Sequence, residues 1–301
     1  MLTAIAIIND NSGSVDEGAV ESALDVLRSA FEMRVVSTAS GDELDTELAT
    51  DDIVIVMGGD GSLHAVVASL NRIDRLAAVT LGLIPLGTGN DFARSLHIPD
   101  DPAAAAQLIV DGHHVAVDLV RDDVGGTVIN SVHLGAGAEA AERAESWKET
   151  LGPVGYAVGT LVSGVNHNPL DVQVSVDGTA LPAGNGLLQV AINNGKFVGG
   201  GTPLAPDADP SDGLLDVIIS YATSATGRLS YARELRGGTH IERDDVITVR
   251  GSTVTVHGEP FSCSADGEIE KDITTRTWRV DPAALSMFAP PRIPARLPTD
   301  P

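Results

Sequence analysis

The sequence predicts an N-terminal α/β domain built on a parallel sheet, followed by a mainly antiparallel, β-rich C-terminal domain. Buried strands alternate with amphipathic helices at short spacing through the first third of the chain, the pattern of parallel strands joined by helical crossovers. Past about Val115 the pattern changes to closely spaced strands punctuated by turns such as Asp177-Gly178 and Asp266-Gly267. The size fits this division: 301 residues suffice for two domains of ordinary size, and 43% hydrophobic with 20% charged residues is a globular composition. With aromatics at only 3%, the cores must be built from Ala, Val, Leu and Ile.

Taken in order, Leu2 to Ile8 reads as a strand and Asn9 to Gly13 as the turn after it. Ser14-x-x-Glu17 reads as a capping box opening a helix whose Val20, Leu24, Leu27 and Phe31 share one face. Arg34 to Ser37 is the next strand, Asp42 to Ala49 a short helix, and Ile53 to Met57 a fully apolar strand. Ser62 to Asn71 is expected to be helical, Ala78 to Ile84 a strand, and Asp91 to Leu96 the start of another helix. In the second domain, strands are expected at Val115 to Val120, Thr127 to Leu134, Asp171 to Asp177, Leu187 to Asn193 and Leu214 to Ser220. Val246 to Arg250, Thr253 to His257 and Thr274 to Val280 complete the set, with helical insertions at Ala138 to Thr150 and Gly227 to Arg236.

Two glycine turns carry the chemistry. Gly58-Gly59-Asp60-Gly61-Ser62 follows the apolar strand and precedes a helix. Glycines let backbone N–H groups approach phosphate oxygens, and a helix N-terminus adds favourable partial charge. Asp60 is expected to face metal-bound phosphates. The bland alternative is a tight strand-to-helix turn with no ligand. Gly87-Thr88-Gly89-Asn90-Asp91 repeats the arrangement after the next strand, so both turns are expected at one crevice at the carboxyl ends of parallel strands. Thr88 and Asn90 can hydrogen-bond phosphate and Asp91 can hold a metal-bound water; structurally, Asn90 and Asp91 also suit helix caps.

Gly-Gly-Asp-Gly-Ser followed by Gly-Thr-Gly-Asn-Asp-Phe-Ala-Arg resembles the catalytic domain of the diacylglycerol kinase family, which includes soluble bacterial lipid kinases and the sphingosine and ceramide kinases. The likeness runs along most of the chain. Asn9-Asp10-Asn11-Ser12-Gly13 is similar to that family's nucleotide loop, with Asp10 where proline is usual, and Thr38 sits at a nucleotide-contacting threonine. Leu151 to Tyr156 and the glycine-rich run Asn194 to Asp216 also resemble family segments. The resemblance implies an ATP-dependent lipid kinase whose nucleotide is held by Asn9, Asp10, Asn11, Ser12, Gly13 and Thr38, by Gly58 through Ala65 (Gly59, Asp60, Gly61, Ser62, Leu63 and His64 between), and by Thr88, Asn90 and Asp91. It implies a structural Mg²⁺ held by the Asp212 side chain with backbone carbonyls of Asp209 and Leu214; hard oxygen ligands suit that ion. It places the catalytic base on Glu268 of Asp266-Gly267-Glu268, with Asp60 also catalytic, whereas Glu259 of His257-Gly258-Glu259 is a decoy further from the final strand. The sequence departs from the family pattern where the first glycine turn usually continues x-Asn-Glu: here Leu63 is followed by His64-Ala65.

The expected division is residues 1–117 for the nucleotide, 118–281 for the lipid substrate, and a tail, 282–301, returning to the first domain. A formal net charge of −23 with only three lysines argues against nucleic acid as a partner and against a polybasic lipid anchor. The single Cys263 excludes a disulfide framework and suits a cytoplasmic protein. No stretch approaches the roughly 18 apolar residues of a membrane span, so contact with a lipid-bearing membrane is expected to be peripheral. Three rival readings stand beside the lipid kinase: an NAD kinase-like enzyme, a non-catalytic nucleotide- or lipid-binding relative, and a kinase of a sugar or polyol. Neither the acceptor lipid nor the oligomeric state, a homodimer included, is written in the motifs.

Overall fold

The computed structural model describes residues 2–8, 17–37, 41–135, 138, 169–183 and 186–291. Its first sheet is parallel. Strands β1 (Leu2–Ile8), β2 (Phe31–Ser37), β3 (Ile53–Gly58) and β4 (Thr80–Pro85) lie in the order β4-β3-β1-β2. The β3 run Val54, Ile55, Val56 and Met57 is wholly buried, as a strand covered on both faces must be. Helices α1 (Glu17–Arg28), α2 (Gly41–Glu47), α3 (Asp60–Arg72), α4 (Asp91–Ser95) and α5 (Pro102–Asp111) connect or flank these strands. In α1, Ala23, Leu24 and Leu27 are the buried residues, the stripe that a 3.6-residue period places on one side.

Several expected boundaries shift. Phe31, expected on the face of the first helix, instead opens β2, because α1 ends at Arg28, and the last strand runs from Glu268 to Phe288 where only Thr274 to Val280 was expected. Helix α3 begins at Asp60, two residues before its expected start, and β4 begins at Thr80 because Leu76–Ala78 forms a 3₁₀ turn. Helix α5 was not expected: Asp101 caps it by accepting from the Ala104 amide at 2.8 Å, Pro102 stands in its first turn, and Gly112 ends it in the left-handed region. The expected strand Thr127 to Leu134 is broken into β6 (Thr127–Val128) and β7 (Ser131–Gly135). The insertion expected at Ala138 to Thr150, apart from the single residue Ala138, lies outside the described residues, as do Leu151 to Tyr156 and the tail from residue 292.

The second domain is antiparallel. Strand β5 (His114–Asp122) leads into it, followed by β6, β7, β8 (Val172–Val176), β9 (Thr179–Ala180), β10 (Gln189–Asn193), β11 (Phe197–Val198), β12 (Thr202–Pro203) and β13 (Leu215–Ser220). After helix α6 (Ala225–Leu235) come β14 (Val246–Gly251), β15 (Thr253–Ala265) and β16 (Glu268–Phe288). Alternation explains β13: Leu215, Val217 and Ile219 enter the core with Val190, Ile192 and Trp278, while Ile218 faces the opposite way, onto Tyr231 and Leu235 of α6.

The two domains share β16. Over Trp278 to Phe288 it runs antiparallel to β5, and at Ser286 and Met287 it pairs in parallel with Thr80 and Leu81 of β4. Ile273 and Trp278 belong to the second core; Leu285, Met287 and Phe288 belong to the first. Among the described residues no helix is long and apolar enough to cross a membrane.

Candidate active site

The two glycine turns meet at the carboxyl edge of the parallel sheet. Gly58 pairs with Pro85 at the ends of β3 and β4, and the Leu86 amide donates to the Gly58 carbonyl at 3.1 Å. A Cβ on Gly87 would lie 2.5 Å from the Gly59 Cα, so the turns touch backbone to backbone and only glycine permits it. Ile8, before the loop Asn9 to Gly13, lies opposite Met57 across the β1–β3 pair. That pair is where the strand order reverses, the place at which open α/β sheets hold ligands. The residues Asn9, Asp10, Asn11, Ser12, Gly13 and Thr38 themselves lie outside the described set.

Gly59 precedes α3 as its N-cap and makes no side-chain cap bond, and a Cβ built on Gly61 meets nothing within 4 Å. Empty space beside Gly61 at the start of a 13-residue helix, whose dipole favours negative charge there, fits a phosphate group. Helix α4 differs. Its first amides, those of Asp91 and Phe92, donate to the two carboxylate oxygens of Asp60 at 3.1 and 3.0 Å. Asp60, expected to face metal-bound phosphates, therefore holds the second turn against the first through both of its oxygens. Asn90 is likewise committed: its side-chain oxygen accepts from the Gly87 amide at 3.0 Å and its amide donates to the Gly87 carbonyl at 2.8 Å. Asp91, 5% exposed, accepts from the Gly200 and Gly201 amides at 2.9 and 2.6 Å. Burial raises the Asp91 pKa, and the two glycine amides pull against that rise. Two carboxylates thus tie three loops in series. Thr88 stays exposed at the crevice. Leu63, expected at the nucleotide, is 1% exposed and packs into the first core; Ala65 is exposed on α3.

The third element is the hairpin between β15 and β16. Ala265 and Glu268 pair across Asp266-Gly267, both of which have positive φ (48° and 99°), a two-residue turn of the primed type. The Asp266 side chain is 4% exposed. Its Oδ1 accepts from the amides of Asn130 and Ser131 at 2.9 and 3.0 Å, and its Oδ2 from Ile129 at 2.6 Å. Those bonds take the amides that a continuous strand would need, and this is why β6 and β7 are separate. The same Oδ2 lies 3.1 Å from His64 Nδ1, so α3 and the hairpin are joined directly. Hydrogen bonding to Asp266 raises the His64 pKa, burial opposes it, and the charge of Glu268 adds to the rise.

A cleft of about 390 Å³ opens between them, lined by His64 and Asn71 of α3, Thr127 and Val128 of β6, and Glu268 and Trp278 of β16. Glu268 is exposed into it at the first position of β16. Glu259 sits in the irregular part of β15 beside β8, its amide donating to the Asp171 carbonyl at 3.0 Å, and does not line the cleft.

The loop expected to hold Mg²⁺ is occupied by its own bonds. Asp212 Oδ1 accepts from the Leu214 amide at 3.0 Å, and Oδ2 pairs with the Arg250 guanidinium. The Asp209 carbonyl accepts from the Ser211 and Asp212 amides at 2.7 and 3.3 Å. Arg250 also reaches Asp216 at 3.3 Å. Of the three expected ligands Asp209, Asp212 and Leu214, the one side chain, Asp212, is thus paired with a guanidinium, which supplies the positive charge there. Asp118, which no motif singled out, anchors the loop: 2% exposed, it accepts from the Gly213 amide at 2.7 Å and the Ala283 amide at 2.8 Å. No local pattern marks such a residue; a lone acidic side chain in an apolar strand was the only signal.

Two family models match in succession: the diacylglycerol kinase catalytic domain over residues 3–121, and the YegS C-terminal NAD kinase beta sandwich-like domain over residues 130–289. A diacylglycerol kinase of Mycobacterium tuberculosis is 34% identical over 247 residues, covering 79% of this chain and 77% of its own. A protein of Stenotrophomonas maltophilia named "Probable lipid kinase YegS-like" is 30% identical over 253 residues, covering 81% and 80%. The crystal structure of a diacylglycerol kinase from Bacillus anthracis superposes with a TM-score of 0.75 at 21% identity, over 96% of this chain and 97% of that one, a likeness of fold.

Proposed function

The chain belongs to the diacylglycerol kinase catalytic-domain family, and on that premise we propose that it is an ATP-dependent lipid kinase that phosphorylates a lipid hydroxyl, diacylglycerol first among the acceptors. One observation carries the reading: the His64–Asp266 bond seats the hairpin bearing Glu268 against the helix that begins at the glycine turn. A helix start suited to phosphate and a carboxylate are thereby held on neighbouring elements, one helical turn from the cleft that His64 and Glu268 line, which is the minimum for transferring a phosphoryl group to an alcohol.

In this reading the amides at the start of α3 and the hydroxyl of Thr88 receive the phosphates, with Asn9, Ser12 and Thr38 contributing from outside the described residues. ATP, entering with its Mg²⁺, supplies the phosphoryl group. Glu268 accepts the proton of the acceptor hydroxyl as that oxygen attacks. Asp60, Asn90 and Asp91 hold the three loops in register, since catalysis of this kind rests on positioning and charge more than on covalent chemistry. The cleft is at the small end of ligand sites, roughly 300–1,000 Å³, so it admits an acceptor's head while its hydrocarbon stays with the membrane surface. The test is incubation with γ-labelled ATP and a lipid extract, identifying labelled product by mass. A labelled phospholipid is expected; label only in inorganic phosphate, or in NADP, would overturn the reading.

A further inference from the structure

The kinase reading, on which this inference rests, fixes where the transferred group must pass: between the start of α3 and Glu268. His64 stands there. It is one helical turn beyond Asp60 on the same face of α3, and its ring lines the cleft with Glu268. Its orientation is imposed. Asp266 cannot turn, because three backbone amides hold its two oxygens, and it engages Nδ1 of the ring. Nε2 makes no hydrogen bond among the described residues, and the side chain is 20% exposed. A histidine fixed through one nitrogen by a buried carboxylate presents the other to whatever enters the site.

The charges facing the ring come from several elements. Asp266 lies in the hairpin turn, Glu268 and Glu270 on β16, and Asp122 on β5. The neighbouring cations are committed: Arg72 of α3 bonds Asp45, the buried Arg276 bonds Asp122 and Glu270, and Arg121 of β5 bonds Asp281, Asn71 and Thr127. His64, whose charge is not already shared with a partner arginine, can add positive charge where phosphoryl oxygens gather negative charge, and the surrounding carboxylates favour its charged form.

We propose that His64, as an imidazolium held by Asp266, is a catalytic residue that contacts the transferring phosphoryl group through Nε2–H. The acceptor oxygen forms a bond to phosphorus as the bond from phosphorus to the ADP oxygen breaks. The acceptor's proton goes to Glu268, and His64 keeps its own proton throughout. The residue usual in this position of the motif, asparagine, can donate a hydrogen bond but carries no charge, so the contact here is sensitive to pH.

The experiment compares ATP and ADP affinities by calorimetry for the full chain, His64→Asn and His64→Gln, between about pH 6 and about pH 9, a range spanning the ordinary histidine pKa. The nucleotides' own titration is common to all three proteins and cancels. In the wild type the preference for ATP over ADP should fall by about tenfold as pH rises, the scale of one charge-assisted contact. In both variants it should be flat, and the alkaline fall in turnover should disappear. His64→Asn keeps a donor toward Asp266 and is expected to fold; a matching melting temperature confirms it, and His64→Gln gives a second reading. A wild-type preference independent of pH, or one that persists in the variants, would overturn the assignment. So would turnover that rises with pH and is lost in His64→Asn, which makes neutral His64 a base. If neither nucleotide binds at any pH, the kinase reading itself falls, and this one with it.

Discussion

The carboxylate of Asp60 bridges the first two amides of α4, accepting from Asp91 at 3.1 Å and Phe92 at 3.0 Å, so a residue of the first glycine turn is the cap of the second. Asp60→Ala should remove both bonds and lower stability by about 1–3 kcal/mol, the cost of stranding backbone donors in a partly buried place. ATP affinity and turnover should fall together, because the loops lose their register. Denaturant unfolding and steady-state kinetics on the same protein check this; a loss confined to turnover would mean Asp60 acts on the reaction directly.

Gly61 and Gly87 should separate binding from folding. A Cβ on Gly61 meets open space, whereas on Gly87 it meets the Gly59 backbone at 2.5 Å. Gly61→Ala should therefore leave the melting temperature within a degree or two while ATP binding is lost, since the methyl group fills the place of a phosphate. Gly87→Ala should lower the melting temperature by several degrees, with ATP binding lost as a consequence. Wild-type ATP affinity in Gly61→Ala would move the phosphate site elsewhere.

Glu268→Gln should retain ATP affinity and lose turnover by roughly 10²–10⁴-fold, the usual worth of a positioned general base. Glu259→Gln should change turnover little, because Glu259 is outside the cleft. The pair controls for loss of one charge in a strongly acidic protein. Equal and full activity in both variants would place the base on another group.

Arg250 gives a prediction about metal. With its guanidinium against Asp212 and Asp216, Mg²⁺ without nucleotide should leave the wild-type melting temperature unchanged. Arg250→Ala should expose those two carboxylates, destabilise the protein, and make the melting temperature rise with added Mg²⁺. A Mg²⁺-dependent rise in the wild type, absent in Asp212→Ala, would show that the ion displaces the arginine.

What the sequence disclosed was local. Ile53 to Gly61 announces a buried strand, a glycine turn and a helix start through residue types that few other structures need, and the structure has all three. Helix α5 carries clear ends in Asp101-Pro102 and Gly112, but its alanines blur the apolar period that identifies a helix. The break between β6 and β7 has no local cause at all: Ile129 and Asn130 read as strand and are turned aside by Asp266, far along the chain. The same holds for Asp60 and Asp91, whose partners are backbone amides and leave no trace in residue identity. Side chains that bond backbone across long separations are the part of a site that motif reading leaves unassigned.

The double membership of β16 bears on how the chain reaches this state. Thr80 and Leu81 form part of the first sheet early in the sequence, yet the strand that covers their open edge is Ser286–Met287. During synthesis from the N-terminus, β4 must therefore wait as an unpaired, apolar border until almost the whole polypeptide has been made. Such long-separation pairings slow folding and leave a template for aggregation while they are missing. A chain shortened before Leu285 should accumulate as insoluble protein even though every residue of the proposed nucleotide site is present, because what it lacks is the closing seam.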